Sequence, residues 1–261
     1  MRLWLRYVRL AWRLRPVAVG RRSQLLLLYL GATTLFRSHS RLLRKPISLQ
    51  VRLGAVAYRI ALKTRTELDT LHEIGIEDEY RSADAIPAEV LVDLGASVGL
   101  ATLRLLSSHP GARAIAVEAD PELIPRLRAN VSGLPVTVIH AAVSSSTGRR
   151  VFYRSDVSSW ASSLEKILPD QTAVMVPTLS LDDLLDDVGI HRVQLLKLDI
   201  EGAEWEIFQG DVTARVDAII GEVHGRPGRD PEAFIDRLAG SMRVQTISAE
   251  PGRATFLATR L

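Results

Sequence analysis

The sequence predicts an α/β fold built on a doubly wound, mostly parallel sheet. Three observations predict it. From Glu89 onward, short apolar runs alternate with helical ones, as strands joined by crossover helices do. Residues 89–102, EVLVDLGASVGLAT, read as a buried strand ending at Asp93, a glycine-bearing turn and the start of a helix. Acidic residues, Glu118 and Asp199, fall at the ends of two later strand-like runs, and open α/β sheets bind ligands at the carboxyl ends of their strands.

The 261 residues, 47% of them hydrophobic, suffice for one such domain with a sizeable core and an appendage. No cysteine occurs, so disulfides, thiolate metal sites and a cysteine nucleophile are excluded; a reducing cytoplasm is compatible with this. The net charge of +3 hides an asymmetry: residues 1–66 hold 15 Lys and Arg and no acid, leaving the remainder at −12. A cationic front suggests an anionic partner.

The chain divides into a basic helical extension (1–46), a hairpin and helix lead-in (47–88) and the main domain (89–261). In residues 2–15, Arg2, Arg6, Arg9 and Arg13 form one helical stripe. Leu3, Tyr7, Leu10 and Leu14 form another, widened by Trp4, Val8, Ala11 and Trp12. Pro16 and Gly20 end this helix, and an apolar stretch at 25–36, too short to span a bilayer, follows Arg21 and Arg22. Three readings compete here: peripheral attachment to an anionic membrane surface, packing on the domain or a second subunit, and a cleaved targeting segment. Nucleic acid is not expected, because the aromatics lie on the apolar side of the helix. The expected location is the cytoplasm, with peripheral contact at the membrane's inner face.

Residues 47–64 read as a hairpin about Gly54-Ala55, 68–80 as a helix, and 81–88 as a connector. Strands are expected at 89–93, 112–118, 136–141, 193–198 and 218–222, with closing strands at 244–248 and 255–259. Helices are expected at 99–107, from Pro121 to about 131 with Asp120 as N-cap, at 178–187, 203–209 and 231–239. A hairpin about Thr147-Gly148 precedes a Ser-rich loop at 155–177 holding Ser158, Ser159, Ser162 and Ser163. Asp182, Asp183, Asp186 and Asp187 form the solvated face of an amphipathic helix.

The glycine turn is spaced D-x-G-x-x-x-G, not the G-x-G-x-x-G of a dinucleotide site. That spacing suits the amino-acid end of S-adenosylmethionine, so Asp93, Gly95, Ala96, Ser97 and Gly99 are candidate cofactor-binding residues. Glu118 can accept both hydroxyls of a ribose. The second centre is 195–209, LLKLDIEGAEWEIFQ, where Lys197, Asp199 and Glu201 fall at a strand's carboxyl end. His224 follows the next strand. These four are the candidate catalytic residues; no metal site is assigned. A nicotinamide-dependent oxidoreductase and a non-catalytic membrane-associated protein are the alternatives.

With these pieces in order, the sequence resembles the FkbM family of methyltransferases. The resemblance is carried by VDLGASVGL (92–100), AVEADPELIPRLRANV (116–131), HAAVSSSTGRRVFY (140–153), TLSLDDLL (178–185), LLKLDIEGAEWEIFQG (195–210) and IIGEVHG (219–225). Residues 59–80 look like its lead-in. K-L-D-I-E-G-A-E is the most specific block, and Ser97 stands where the family usually has Asn. The resemblance covers residue 48 onward. It implies a Rossmann-like sheet of seven strands with the last antiparallel, S-adenosylmethionine as donor, and O-methylation of a saccharide, glycolipid or other secondary metabolite. Deprotonation of the acceptor by Asp199, Glu201 or His224, with Lys197 holding the carboxylates, completes the expected mechanism.

Overall fold

A computed structural model describes residues 2–33, 45–155, 162–207 and 212–261. Two helices, α1 (Arg2–Arg13) and α2 (Gly20–Thr33), lead into the hairpin β1 (Ile47–Leu53) and β2 (Val56–Leu62). Then come α3 (Arg65–His72), β3 (Val90–Leu94), α4 (Leu100–Ser108), β4 (Arg113–Glu118), α5 (Ile124–Asn130) and β5 (Val136–His140). A short β6 (Ala142–Val143), β7 (Gly148–Arg154), β8 (Thr172–Leu179) and α6 (Leu181–Asp187) follow. The chain closes through β9 (Val193–Leu198), α7 (Glu204–Ile207), β10 (Val216–His224), α8 (Pro231–Ala239), β11 (Met242–Glu250) and β12 (Arg253–Arg260).

The main sheet has seven strands in the order β11-β12-β10-β9-β3-β4-β5. β10, β9, β3, β4 and β5 run parallel, and β12 is antiparallel to both neighbours, as the resemblance implies. The order reverses between β3 and β9, which opens a crevice at their carboxyl ends. Alternation along the strands fills both faces: Leu91, Ala114, Leu195 and Ala218 join one core, Val92, Ile115, Leu196 and Ile219 the other.

The extension shares the first core, to which Tyr7, Leu14, Val17, Leu27 and Leu30 belong. α1 and α2 cross closely because position 31 is glycine; a Cβ there would lie 2.5 Å from that of Ala11. Val19 N–H donates to Gln50 O, and Arg52 N–H to Val17 O, so the inter-helix segment lines up along β1. No helix among the described residues is long and apolar enough to cross a membrane.

Several expectations are corrected. The 155–177 loop contains most of β8, concealed by Pro177. That proline is tolerated because β6 reaches only Thr178 and Leu179, leaving β8 an open edge beside it. The expected hairpin about Gly148 does not form: β6 and β7 lie on opposite sides of β8 in a separate three-stranded sheet. α5 starts at Ile124, not Pro121, because Asp120 Oδ1 accepts Glu122 N–H and holds a turn first. The helix expected over 68–80 breaks at His72 into a π turn, Glu73–Glu77, stopped by Asp78 at φ 54°. β10 runs on to His224, which lies within the strand and not after it. Ser180 does cap α6, whose Asp182, Asp183, Asp186 and Asp187 are exposed while Leu181, Leu184 and Leu185 are buried. Ser158 and Ser159 lie outside the described residues.

Candidate active site

The crevice between β3 and β9 opens into a cavity of about 270 Å³. Its floor is the turn after β3. The N–H groups of Gly95 and Ala96 both reach Val117 O, at 3.0 and 2.9 Å, folding the turn back over β4. Gly95 has φ 79°, and a Cβ there would stand 1.8 Å from Asp199 O, so only glycine lets the β3 and β9 loops meet. Ser97 is also left-handed, at φ 51°. Its N–H donates to Glu118 Oε2 at 2.7 Å, while Asp120 N–H donates to Glu118 Oε1 at 2.7 Å. Burial pushes the Glu118 carboxyl up to about 7, against the pull of those two amides.

Lys197 is sealed beneath the turn. Its Nζ donates to Gly95 O at 2.8 Å and Leu94 O at 3.2 Å, and lies 3.1 Å from Asp93 Oδ1 and 3.8 Å from Asp199 Oδ2. Burial pulls its pKa down, but the Asp93 and Asp199 charges outweigh burial and hold it at about 12. Asp93 Oδ2 accepts from Thr102 Oγ1 at 2.5 Å, and Asp93 is absent from the cavity wall. Lys197 and Asp93 thus form a buried clasp for the glycine turn. Neither is arranged to move a proton, and Asp93 faces Lys197 where the sequence suggested a ligand.

The far wall carries the acids. Asp199 lines the cavity, its Oδ1 buried without a hydrogen-bond partner among the described residues, and burial raises its pKa. Glu201, at φ 56°, is likewise raised well above the carboxylate range by burial and by Asp199. His224 Nδ1 is 3.1 Å from Glu204 Oε1, and its Nε2 is 3.4 Å from both Glu201 Oε2 and Glu222 Oε2. Burial lowers the His224 pKa, but bonds to Glu204 and Glu222 outweigh it and carry the ring to about 11, so it stands as an imidazolium. Asp199, Glu201 and His224 offer ligand atoms within 4.8 Å of one another, a set that could hold a metal ion.

Sequence reasoning missed three contributors. Glu204 is fully buried, accepts Gly202 N–H as well as facing His224, and fixes the ring. Glu73 and Glu79, from the π turn and the residues after it, close the cavity over Glu222. Burial, with Glu222 next, raises them to about 7 and about 9, Glu79 hydrogen-bonding to Glu222. Arg104 holds this segment through Asp78 at 2.6 Å and Asp84 at 2.9 Å. The signal in the sequence was the density of acids in EIGIEDEY, placed by a left-handed residue that helical periodicity does not foresee. Ser162 lines the cavity; Ser163 pairs with the Tyr153 backbone.

Residues 93–243 match the family described as Methyltransferase FkbM domain, more than half of the chain. The chain belongs to the FkbM-domain methyltransferases. Among curated relatives, hexuronic acid methyltransferase AglP of Haloferax volcanii is 28% identical over 211 residues, 78% of this chain and 84% of that protein. The 2-O-methyltransferase NoeI of Sinorhizobium fredii is 27% identical over 180 residues, 63% of this chain and 71% of that one. AMB antimetabolite synthetase AmbE of Pseudomonas aeruginosa matches at 25% over 267 residues, 78% of this chain but only 13% of that protein. Membership in the FkbM-domain family makes this chain a methyltransferase and displaces the oxidoreductase and non-catalytic alternatives.

Proposed function

We propose that the chain O-methylates a hydroxyl of a saccharide or related polyol, with Glu118 and the Gly95–Gly99 turn holding the donor. The residues fit that donor. Glu118 keeps acceptor capacity beyond the two amides it binds, enough for a ribose diol. Ala142, Phe152 and Leu164 give the same end of the cavity an apolar lining. Bound there, S-adenosylmethionine supplies a methyl group already activated on a sulfonium.

The protein's work is then to align the acceptor and take its proton. The observation that carries the reading is Asp199, whose carboxyl lines the cavity with Oδ2 3.8 Å from Lys197 Nζ. A hydroxyl placed against that carboxyl passes its proton to Asp199 as its own oxygen gains the methyl. The raised pKa makes Asp199 a stronger base than an ordinary carboxylate. Glu201 and the Glu204-anchored His224 hold the surrounding charge fixed. Glu73, Glu79 and Glu222 line the cavity with oxygens that can hydrogen-bond the hydroxyls of a polyol.

Replacing Asp199 by Asn tests the assignment. Turnover of a methyl-accepting glycoside is expected to fall roughly 10²- to 10⁴-fold, with affinity for S-adenosylhomocysteine retained. Wild-type turnover in that variant would sink the base assignment. Retained turnover in Asp199→Asn, Glu201→Gln and His224→Asn alike would sink acid-base involvement of the cluster.

A further inference from the structure

The two N-terminal helices each bury one side and present another that the fold leaves uncovered. On α1, Tyr7 and Ala11 are buried, as is Leu14 just beyond it, while Leu5 and Trp12 lie exposed with Arg9 and Arg13; Arg6 turns to Asp69 of α3, 3.2 Å away. On α2, Ser23, Leu27, Leu30 and Gly31 are buried, and Leu25 and Tyr29 are exposed one and two turns beyond Arg21 and Arg22. Trp12 and Leu25 are 60% and 67% exposed, with the Arg15 guanidinium 4.0 Å over the Trp12 ring. Every charged side chain in residues 2–33 is an arginine, seven in all. The sequence joined Trp12 to the buried stripe; in the fold that stripe splits, and its Trp12 edge faces outward among arginines.

We propose that the outer faces of α1 and α2 dock on an anionic lipid bilayer, lying in the interface with the exposed Trp, Leu and Tyr side chains inserted and the arginines at lipid phosphates. Charge complementarity selects this occupant. An all-arginine face with amphipathic aromatics matches anionic headgroups above an acyl boundary. A second copy on the same face would set arginines against arginines. Neither helix is long enough to span, so the contact is peripheral. This surface is independent of the methyl-transfer reading.

The test is co-sedimentation of the full chain with phosphatidylcholine vesicles, with and without phosphatidylglycerol, at low and high salt. Binding is expected only to the anionic vesicles, weakened by salt, with a blue shift of tryptophan emission that Trp12→Phe removes. Arg21→Glu/Arg22→Glu is expected to weaken partitioning roughly tenfold or more, and Trp12→Ser/Leu25→Ser comparably. All four positions are exposed, so thermal melting and S-adenosylhomocysteine binding should match wild type. The proposal is overturned by no binding to anionic vesicles, or by variants that bind as well as wild type. It is equally overturned if the variants dissociate a dimer in gel filtration, or if the face retains RNA and not vesicles.

Discussion

Replacing Glu118 by Gln separates two jobs of one carboxylate. Both oxygens accept a backbone N–H, from Ser97 and from Asp120, each at 2.7 Å. Glutamine offers one oxygen and one NH₂, so one buried amide meets a donor. Leaving such a group unpaired costs about 1–3 kcal/mol, a cost borne by the free protein and read as a lowered melting temperature. The ribose contact is a separate loss. A charge-assisted bond contributes about 1.5–3 kcal/mol, so affinity for S-adenosylhomocysteine should fall roughly 10- to 150-fold, measured by titration calorimetry. The pH dependence supplies the signature. Glu118 is pushed up to about 7, and a ribose diol needs the ionised form. Wild-type affinity should therefore fall about fivefold between pH 7 and pH 6, and the Gln variant should be flat. Stability runs the other way. The native state retains the proton to a higher pH than the unfolded chain, so the contribution of Glu118 is full below the ordinary carboxylate value and is lost as pH rises through 7. Equal affinity in the variant, or a wild-type affinity flat between pH 6 and 8, would refute the reasoning.

Other perturbations address different parts of the site. Lys197→Met strips the partner from buried Asp93; it should cost about 3–5 kcal/mol of stability, and Asp93→Asn in the same chain should restore part of the lost melting temperature. Gly31→Val would push a Cβ to 2.5 Å from Ala11 Cβ and 2.7 Å from Tyr7 O; a loss of about 1–3 kcal/mol and faster proteolysis within residues 2–33 are expected. A cation entering beside Asp199, Glu201, Glu73 and Glu79, all with raised pKa values, should displace protons. Calorimetry in buffers of different ionisation enthalpy should show more proton release with S-adenosylmethionine than with uncharged S-adenosylhomocysteine, and equal release would show that the acid wall does not sense the methyl-bearing sulfur.

What could be read in advance follows from where periodicity holds. β9 and α8 have the bounds that the apolar pattern sets, because strand alternation and the Asp230-Pro231 start are local signals. Glu118 and Asp199 were legible because a parallel sheet delivers its strand ends to one crevice. The irregular parts were not. β8 carries a proline in a strand that is central only at Thr178 and Leu179, and the acids of 73–79 are aimed by a π turn ending on a left-handed aspartate. Neither feature has a period. Lys197 shows the other limit. Its place beside two acids was visible, but its burial under the turn was not, and burial turns the expected holder of the cavity carboxylates into the clasp for Gly95.

That division bears on how the site works. The donor half of the cavity is set by backbone amides and a sealed ion pair, groups with little freedom to move. The acceptor half is set by side chains from α3 and the turns after it, β9, and β10, tied together through Arg104, Glu204 and the Glu79–Glu222 hydrogen bond. A segment held by a few charge pairs can be altered without disturbing the turn that grips the cofactor. In the proposed reaction, acceptor choice therefore falls to Glu73, Glu79 and Glu222, and donor choice to Ser97 and Glu118.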